Sequence, residues 1–337
     1  MQTAVVILNW NGAKLLRQFL PSVVETVNDD AVVVVADNGS TDESVAILEQ
    51  EFPSVLLCKL DKNYGFAEGY NRALQWVQRE LAPTLYVLLN SDVQTPTGWL
   101  QPLETSLLAQ ENIAAVMPKI RSFHNREYFE YAGAAGGFVD QLGYPYCRGR
   151  ILDEIEKDNE QYDTPIPVDW GSGACLVVKA KHYWDVGGLE ARFFAHMEEI
   201  DLCWRLRRAG YEIYCDPRAE VYHLGGGSLP NNSPRKIYLN FRNNLLMLRR
   251  NLPPSAAKCC KMTFRLWLDW VAATLFLLKG KPSFFAAVLR AHYHYFAMRS
   301  AFPFIPMAAD GVRNLGVRSI LIQFYLRRRK KFSDLQH

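Results

Sequence analysis

Two apolar runs in this chain end on acidic turns. Ala31-Val32-Val33-Val34-Val35-Ala36 meets Asp37-Asn38-Gly39-Ser40-Thr41-Asp42, and Leu85-Tyr86-Val87-Leu88-Leu89 meets Asn90-Ser91-Asp92. Short β-branched or leucine-rich runs bounded by turn residues are the pattern of strands buried on both faces. Strands of that kind build open parallel sheets, whose ligands sit beyond the carboxyl ends of the strands. The sequence thus places a carboxylate at that edge twice. This points to a phosphorylated ligand held partly through a metal ion, and to an enzyme.

Strands and helices alternate around these runs. Residues 4–8 read as a first strand, which leads through Asn9-Trp10-Asn11-Gly12 into a helix over 13–26. There follow a strand over 32–36, a helix opened by Ser40-Thr41-Asp42, a strand over 55–59 and a turn at Asn63-Tyr64-Gly65-Phe66-Ala67. A helix over 68–80, a strand over 85–89 and a helix over 99–109 continue the pattern. This order predicts an α/β fold, a mixed and mostly parallel sheet flanked by helices. Further on, 113–120 and 171–179 read as strands. The loop-rich stretch between them carries Gly133, Gly136, Gly137, Gly143 and Gly149, the kind of segment that faces a substrate. A helix over 198–209, stopped by Gly210, and a last short strand over 211–215 come next.

The chain divides by charge. Residues 251–337 hold 14 Lys/Arg against 3 Asp/Glu, whereas residues 1–250 hold 24 against 32. An acidic globular part argues against nucleic acid as a partner, and a basic C-terminal part faces something anionic. The composition shifts after Gly225-Gly226-Gly227-Ser228, whose glycines suit a flap closing over a substrate. A basic amphipathic helix over 234–250 follows, then Pro253-Pro254, and the tail carries Arg327-Arg328-Arg329-Lys330-Lys331. The most apolar later stretch, 266–278, is shorter than the about 20 residues of a membrane span and contains Asp269. Seven cysteines with no Cys-x-x-Cys pair fit a reduced, cytosolic chain, and the first residues read as a strand rather than a signal peptide.

Several residues could carry chemistry. Asp37 can accept a hydrogen bond from a nucleobase or ribose, or can serve as a turn and helix cap. Asp92 is a hard oxygen ligand that can bridge a divalent cation to a diphosphate, because Mg²⁺ uses one or two carboxylates plus substrate phosphates; an Asx turn is the alternative. Glu198-Glu199-Ile200-Asp201 opens a helix, where the dipole favours anions. Asp201 and Arg205 are spaced to pair on one helical face, leaving Glu198 or Glu199 to act as a general base. His223, before the glycine loop, can ligate a metal, contact a phosphate or simply pack; His196 is a weaker candidate, and His292 and His294 read as structural. No Gly-x-Gly-x-x-Gly turn follows the first strand and no Walker-type loop occurs, which counts against dinucleotide enzymes and other nucleotide enzymes.

In order along the chain, these pieces resemble the family-2 inverting glycosyltransferases of GT-A fold, a Rossmann-like nucleotide-diphospho-sugar transferase fold. The likeness is strongest to the bacterial rhamnosyltransferase-like subgroup. It is carried by Val5-Val6-Ile7-Leu8-Asn9-Trp10-Asn11-Gly12, Val35-Ala36-Asp37-Asn38-Gly39-Ser40-Thr41-Asp42, Asn63-Tyr64-Gly65-Phe66-Ala67-Glu68-Gly69-Tyr70-Asn71 and Leu88-Leu89-Asn90-Ser91-Asp92. Gly171-Ser172-Gly173-Ala174, Gly187-Gly188-Leu189, Glu198-Glu199-Ile200-Asp201-Leu202-Cys203-Trp204-Arg205 and His223 complete it. The resemblance implies that Asp37 contacts the nucleotide base with Asn9 and Asn11 nearby, and that Asn63, Gly65, Asn71, Asn90 and Ser91 line the donor pocket. It implies that Asp92, helped by His223, holds Mg²⁺ or Mn²⁺, and that Glu199 is the base, with Glu198 and Asp201 as alternatives. The chain departs from the family pattern twice: the Asp-x-Asp motif is reduced to Asn90-Ser91-Asp92, and the base is Glu where Asp is usual.

The expected reaction moves a sugar from a nucleotide-diphosphate donor, dTDP-rhamnose or a UDP-hexose, to a hydroxyl of a glycan or lipid-linked acceptor in bacterial cell-surface polysaccharide synthesis. A non-catalytic nucleotide-sugar-binding or assembly subunit is the alternative. The expected division is a catalytic domain over 1–228, with a nucleotide-sugar half to about residue 110 and an acceptor half beyond it, then a helical, basic region over 229–337. That region is expected to dock on the inner membrane surface, or else to pack on the catalytic domain or on a second copy in a homo-oligomer.

Overall fold

The computed structural model describes residues 2–225, 233–308 and 317–335, so Gly226-Gly227-Ser228 of the expected flap lie outside the described residues. The first half alternates as β1 (Thr3–Asn9), α1 (Ala13–Thr26), β2 (Ala31–Asn38), α2 (Ser44–Glu51), β3 (Leu56–Leu60), α3 (Gly65–Leu81) and β4 (Leu85–Asn90). β1 pairs in parallel with β2 on one side and β4 on the other, and β2 pairs in parallel with β3. The side chains of β4, most of β1 and Val33–Ala36 of β2 are covered on both faces, which is why these runs are continuously apolar, whereas the edge strand β3 buries only Cys58. α1 turns Leu16, Phe19, Leu20 and Val23 onto the sheet, and α3 turns Ala67, Tyr70, Ala73, Leu74 and Val77. α3 starts at Gly65, earlier than its apolar pattern suggests, because the Asn63 side chain accepts from the Gly65 amide at 2.8 Å and supports the first turn.

The second half reverses direction. β5 (Val93–Gln94), α4 (Leu100–Ala109) and β6 (Ile113–Ser122) are followed by the short strands β7 (Gly137–Val139), β8 (Pro145–Cys147), β9 (Arg150–Ile151) and β10 (Glu154–Ile155), which form a small antiparallel sheet of their own. β11 (Ile166–Val168), β12 (Cys175–Lys179), α5 (Ala180–Asp185), α6 (Glu198–Arg208) and β13 (Glu212–His223) return to the main sheet. Its order is β11-β13-β6-β12-β4-β1-β2-β3, with β5 paired to β13. β12 runs antiparallel to β4, with Cys175 opposite Leu89, so the Gly171–Ala174 segment lies past the same edge as the ends of β1, β2 and β4.

The last strand of the sheet is longer than 211–215. Asp216-Pro217-Arg218 reads as a stop because proline has no N–H for the ladder, yet the register with β6 shifts between Asp216 and Glu220 and the strand then continues to His223. This bulge brings His223 into the sheet.

α7 (Pro234–Asn251) is continuous with the core: Leu245, Leu246, Met247 and Leu248 are fully buried with the sheet residues. Polar contacts tie it to α6. The Asp201 carboxylate accepts from Arg205 Nε at 2.7 Å and from Asn251 Nδ2 at 2.7 Å, with Arg250 Nη1 at 3.4 Å. Arg250 also reaches Glu190 at 2.7 Å. α8 (Ala256–Leu278) and α9 (Pro282–Met298) pack outside α7. Between them Asp269 is buried beside His292 at 3.2 Å and Arg265 at 3.7 Å, which accounts for the one acid in an otherwise apolar stretch. Removing one partner of a buried pair leaves the other charged and uncompensated, at about 3–5 kcal/mol. Asp201→Ala should therefore lower stability by that amount in urea denaturation. A loss below about 1 kcal/mol, the scale of an exposed pair, would mean that apolar packing alone joins α6 to α7.

Candidate active site

The parallel register places Asn9 opposite Asp37 and Leu8 opposite Asn90, so these polar residues form a row at the carboxyl edge of β2, β1 and β4. Asp37 is buried. It accepts from Asn9 Nδ2 at 3.1 Å and from the Ser40 amide at 3.0 Å. Asn9 Oδ1 is buried with no hydrogen-bond partner among the described residues. Asn11 turns outward in the left-handed region (φ 50) and accepts from the Thr41 amide at 2.7 Å. Asn38 donates to Asn63 at 3.3 Å and to the Gly65 carbonyl at 3.0 Å, which closes the side of this row nearest α3.

At the end of β4, Asn90 and Asp92 both face His223. His223 Nε2 lies 3.1 Å from Asp92 and 3.4 Å from Asn90 Nδ2, and Nδ1 lies 3.3 Å from the buried Glu130. Burial works against the charged imidazole, but hydrogen bonds and charge from Asp92 and Glu130 outweigh it and push its pKa up to about 10. Among the described residues no group of three or more His, Cys, Asp or Glu is arranged to hold a metal by itself. The donor chemistry nevertheless fits a hard divalent cation in one way. Asp92 supplies a single carboxylate oxygen, and the remaining positions would fall to diphosphate oxygens and water, as Mg²⁺ prefers. His223 would fit as a ligand only after losing its proton, since an imidazolium has no free lone pair.

The acidic helix is presented by an unusual loop. Phe194, His196 and Met197 all hold left-handed backbone angles (φ 67, 71 and 74). Each such residue costs of order 1–3 kcal/mol and persists only where the surroundings over-determine it. The Phe194 ring lies over Gly65, where a Cβ would stand 2.5 Å from the ring, so only glycine admits this contact. α6 then opens with Glu198 and Glu199. Burial raises both carboxyls, Glu198 well above its ordinary value with added repulsion from Glu199, and Glu199 to about 7. Each keeps one buried oxygen with no hydrogen-bond partner among the described residues. Glu199 is the more exposed of the two and borders Gly173, whose Cβ position is 3.9 Å from the Glu199 side chain. The next residue, Ala174, accepts from the Asn90 amide at 3.0 Å. A short chain of contacts thus runs from Glu199 through Gly173 and Ala174 to Asn90, His223 and Asp92.

Two of the expected site residues, Asp201 and Asn71, make their contacts away from this group. Asp201 has both oxygens engaged by Arg205, Arg250 and Asn251, an ion-paired arrangement that holds α6 to α7. Asn71 uses its amide on the Leu189 turn: its oxygen accepts from Tyr183 at 2.6 Å and the Leu189 amide at 3.0 Å, and its nitrogen donates to the Leu189 carbonyl at 2.8 Å. Gly188 permits this, since a Cβ there would meet Asn71 Oδ1 at 2.7 Å. Gly187-Gly188-Leu189 is therefore an architectural turn, held from the other side by Arg205 on the carbonyls of Val186 at 2.5 Å and Gly188 at 2.7 Å. Ser91 sits partly exposed at the turn after β4. Conversely, the sequence offers no local sign of Glu130, which a loop delivers to His223. The pair Asn243-Asn244 in α7 does carry a sign, since two poor helix formers inside a basic amphipathic helix imply side-chain duties.

Comparison with known proteins agrees with this architecture. The chain is 28% identical over 235 residues to the N-acetylglucosaminyl-diphospho-decaprenol L-rhamnosyltransferase of Mycobacterium tuberculosis, covering 65% of this chain and 75% of that one. Among solved structures it resembles GalNAc-T7 with UDP, GalNAc and Mn²⁺, with a TM-score of 0.57 at 15% identity over 74% of this chain and 47% of that one. It also resembles the mannosyltransferase PcManGT of Pyrobaculum calidifontis in complex with GDP-Man and Mn²⁺, with a TM-score of 0.53 at 15% identity over 88% of this chain and 87% of that one. At such identities these two likenesses speak for the GT-A fold. The model of the glycosyl transferase family 2 matches residues 4–174, half of the sequence, and the chain belongs to that family.

Proposed function

We propose that this glycosyltransferase moves a sugar, with inversion, from dTDP-rhamnose or a UDP-hexose to a hydroxyl of a glycan or lipid-linked acceptor in cell-surface polysaccharide synthesis. The observation that carries this reading is the contact chain joining a partly exposed, proton-retaining Glu199 to Asn90, His223 and Asp92 beside the buried Asn9–Asp37 pair. The rhamnosyl transfer named for the mycobacterial relative supports the donor class.

In this mechanism Asp37, oriented by Asn9 and Ser40, takes the nucleoside, with Asn11, Asn63 and Gly65 around it. Asn90 and Ser91 border the diphosphate, and Asp92 with His223 would hold Mg²⁺ or Mn²⁺. A bound cation supplies charge that offsets the leaving diphosphate. Glu199 takes the proton of the acceptor hydroxyl as that oxygen attacks the anomeric carbon from the face opposite the departing nucleotide. A carboxyl with a pKa near the working pH is suited to this, because it is part ionised yet basic enough to accept a proton. Glu198, more deeply buried, keeps the pocket from ionising fully at once.

The basic C-terminal region has a place in the same reading, at the inner face of the membrane where a lipid-linked acceptor would be met. Among the described residues no helix is long and apolar enough to cross a membrane. α8 instead turns Phe264, Trp267, Val271, Leu275 and Leu278 outward at helical spacing, with Trp270 and Leu277 alongside. Lys279, Lys281, Arg327, Arg328 and Lys331 are exposed as well, a composition that suits an anionic lipid interface.

Donor binding, catalysis, pH dependence and membrane retention test these points. In a thermal-shift screen of UDP-, dTDP- and GDP-sugars with Mn²⁺, one nucleotide class should stabilise the protein and Asp37→Ala should abolish the shift; no shift with any donor would sink the donor reading. Glu199→Gln should reduce kcat about 10²–10⁴-fold while donor binding persists. Wild-type turnover should climb with pH up to about 7 as Glu199 ionises. Because the folded pKa lies above the ordinary 4.5, the native state loses stability as pH rises through that window, so Glu199→Gln should melt above wild type at pH 8 and not at pH 4. Finally, vesicles of phosphatidylglycerol and phosphatidylcholine should co-sediment the protein, with neutral vesicles failing to do so. Trp267→Ala with Leu278→Ser should weaken retention, and equal retention of the variant would place the contact elsewhere.

A further inference from the structure

The loop before the acidic helix is held by carbonyl contacts from three elements. The Phe193 carbonyl accepts from Arg242 at 3.0 Å and Asn243 at 3.1 Å. The Phe194 carbonyl accepts from the Phe66 amide at 2.7 Å and the Ala67 amide at 3.2 Å, at the start of α3. The Ala195 and His196 carbonyls accept from Asn243 at 2.9 and 2.8 Å, and the Met197 carbonyl from the Asp201 amide at 2.9 Å. Five consecutive carbonyls thus have donors: the two amide protons of Asn243 Nδ2 lie within reach of three of them, with the Phe193 carbonyl shared with Arg242. Asn243 is fully buried, and Arg242 extends the clamp to the Arg192 carbonyl at 3.1 Å.

We propose that Asn243, supported by Arg242, is a positioning residue for the transfer, fixing the left-handed loop so that Glu199 stands beside the Gly173 segment. The inference rests on the reading of Glu199 as base. Both residues lie in α7, outside the segment that the family model matches, so the C-terminal region would contribute to catalysis as well as to docking. The physical reason is that left-handed non-glycine residues revert to ordinary angles unless each freed carbonyl has a donor in place. The contacts to α3 make the same loop a strut between the donor side and the acid. An acid displaced by a fraction of an ångström loses its reach to the acceptor proton while donor contacts at Asp37 and Asp92 are untouched.

The test compares Asn243→Asp, which keeps the shape but loses the amide donors, with Leu245→Ala, a core truncation on the same helix. Asn243→Asp should lower kcat about 10–100-fold with the donor KM changed less than about twofold. Its acid limb should move to higher pH, because the substitution sets a second carboxylate beside the loop that carries Glu199. The other titrating groups around the loop, Glu198, Asp201 and Cys203 on α6, His196 in the loop and Lys236 on α7, are left in place. Leu245→Ala should lower the melting temperature but keep kcat and the pH limb. If Asn243→Asp does not fold, Arg242→Lys takes its place and should show the same split with about a tenfold loss of kcat. Wild-type kcat and pH profile in the folded variant, with Glu199→Gln inactive, would overturn the positioning role alone; full activity of Glu199→Gln would overturn the base assignment itself.

Discussion

The parallel pairing of β1 with both β2 and β4 is the constraint on which the rest of the structure depends. It buries these strands on both faces and leaves only their carboxyl ends able to carry polar groups toward a ligand. Asn9, Asp37 and Asn90 fall into one row because the register leaves them no other place. The antiparallel return of β12 beside β4 then carries the Gly171–Ala174 segment to the same edge, where it meets Glu199. A site assembled in this way draws on residues far apart in the chain without any of them leaving its own strand or turn.

Charge is managed around this edge by opposite means on the two sides. His223 stands between Asp92 and Glu130 and keeps its proton, so two buried carboxylates share one cation. At α6 the acids differ sharply within one helical turn. Asp201 is ionically paired and serves to join α6 to α7, whereas Glu198 and Glu199 have no cationic partner among the described residues and have raised pKa values. The difference follows from helical geometry: Asp201 faces Arg205 and α7, whereas Glu199, two residues earlier, starts from another side of the helix with its Cβ beside Gly173.

Much of this was legible from sequence. The strand ends, the Asp201–Arg205 pairing and the structural reading of His292 all follow from local pattern and spacing, whereas the partner of His292, Asp269, came only with the packing of α8 on α9. The length of β13 was not legible, because Asp216-Pro217-Arg218 is a turn signal that a bulge absorbs. Nor was the architectural use of Asn71, whose partners at Leu189 lie 118 residues away.

The sequence by itself determined the α/β alternation, the acids at the strand ends and the acidic opening of α6, since each depends on near-neighbour sterics and hydrophobic period. Only the tertiary structure decided which acid is ion-paired. Asp201 and Glu199 are alike in local sequence, and they part because α7 supplies Arg250 and Asn251 to one, while the other lies beside Gly173 with its carboxyl raised by burial. Ionisation depends on what surrounds a group in three dimensions, and those surroundings come from segments that no local pattern brings together.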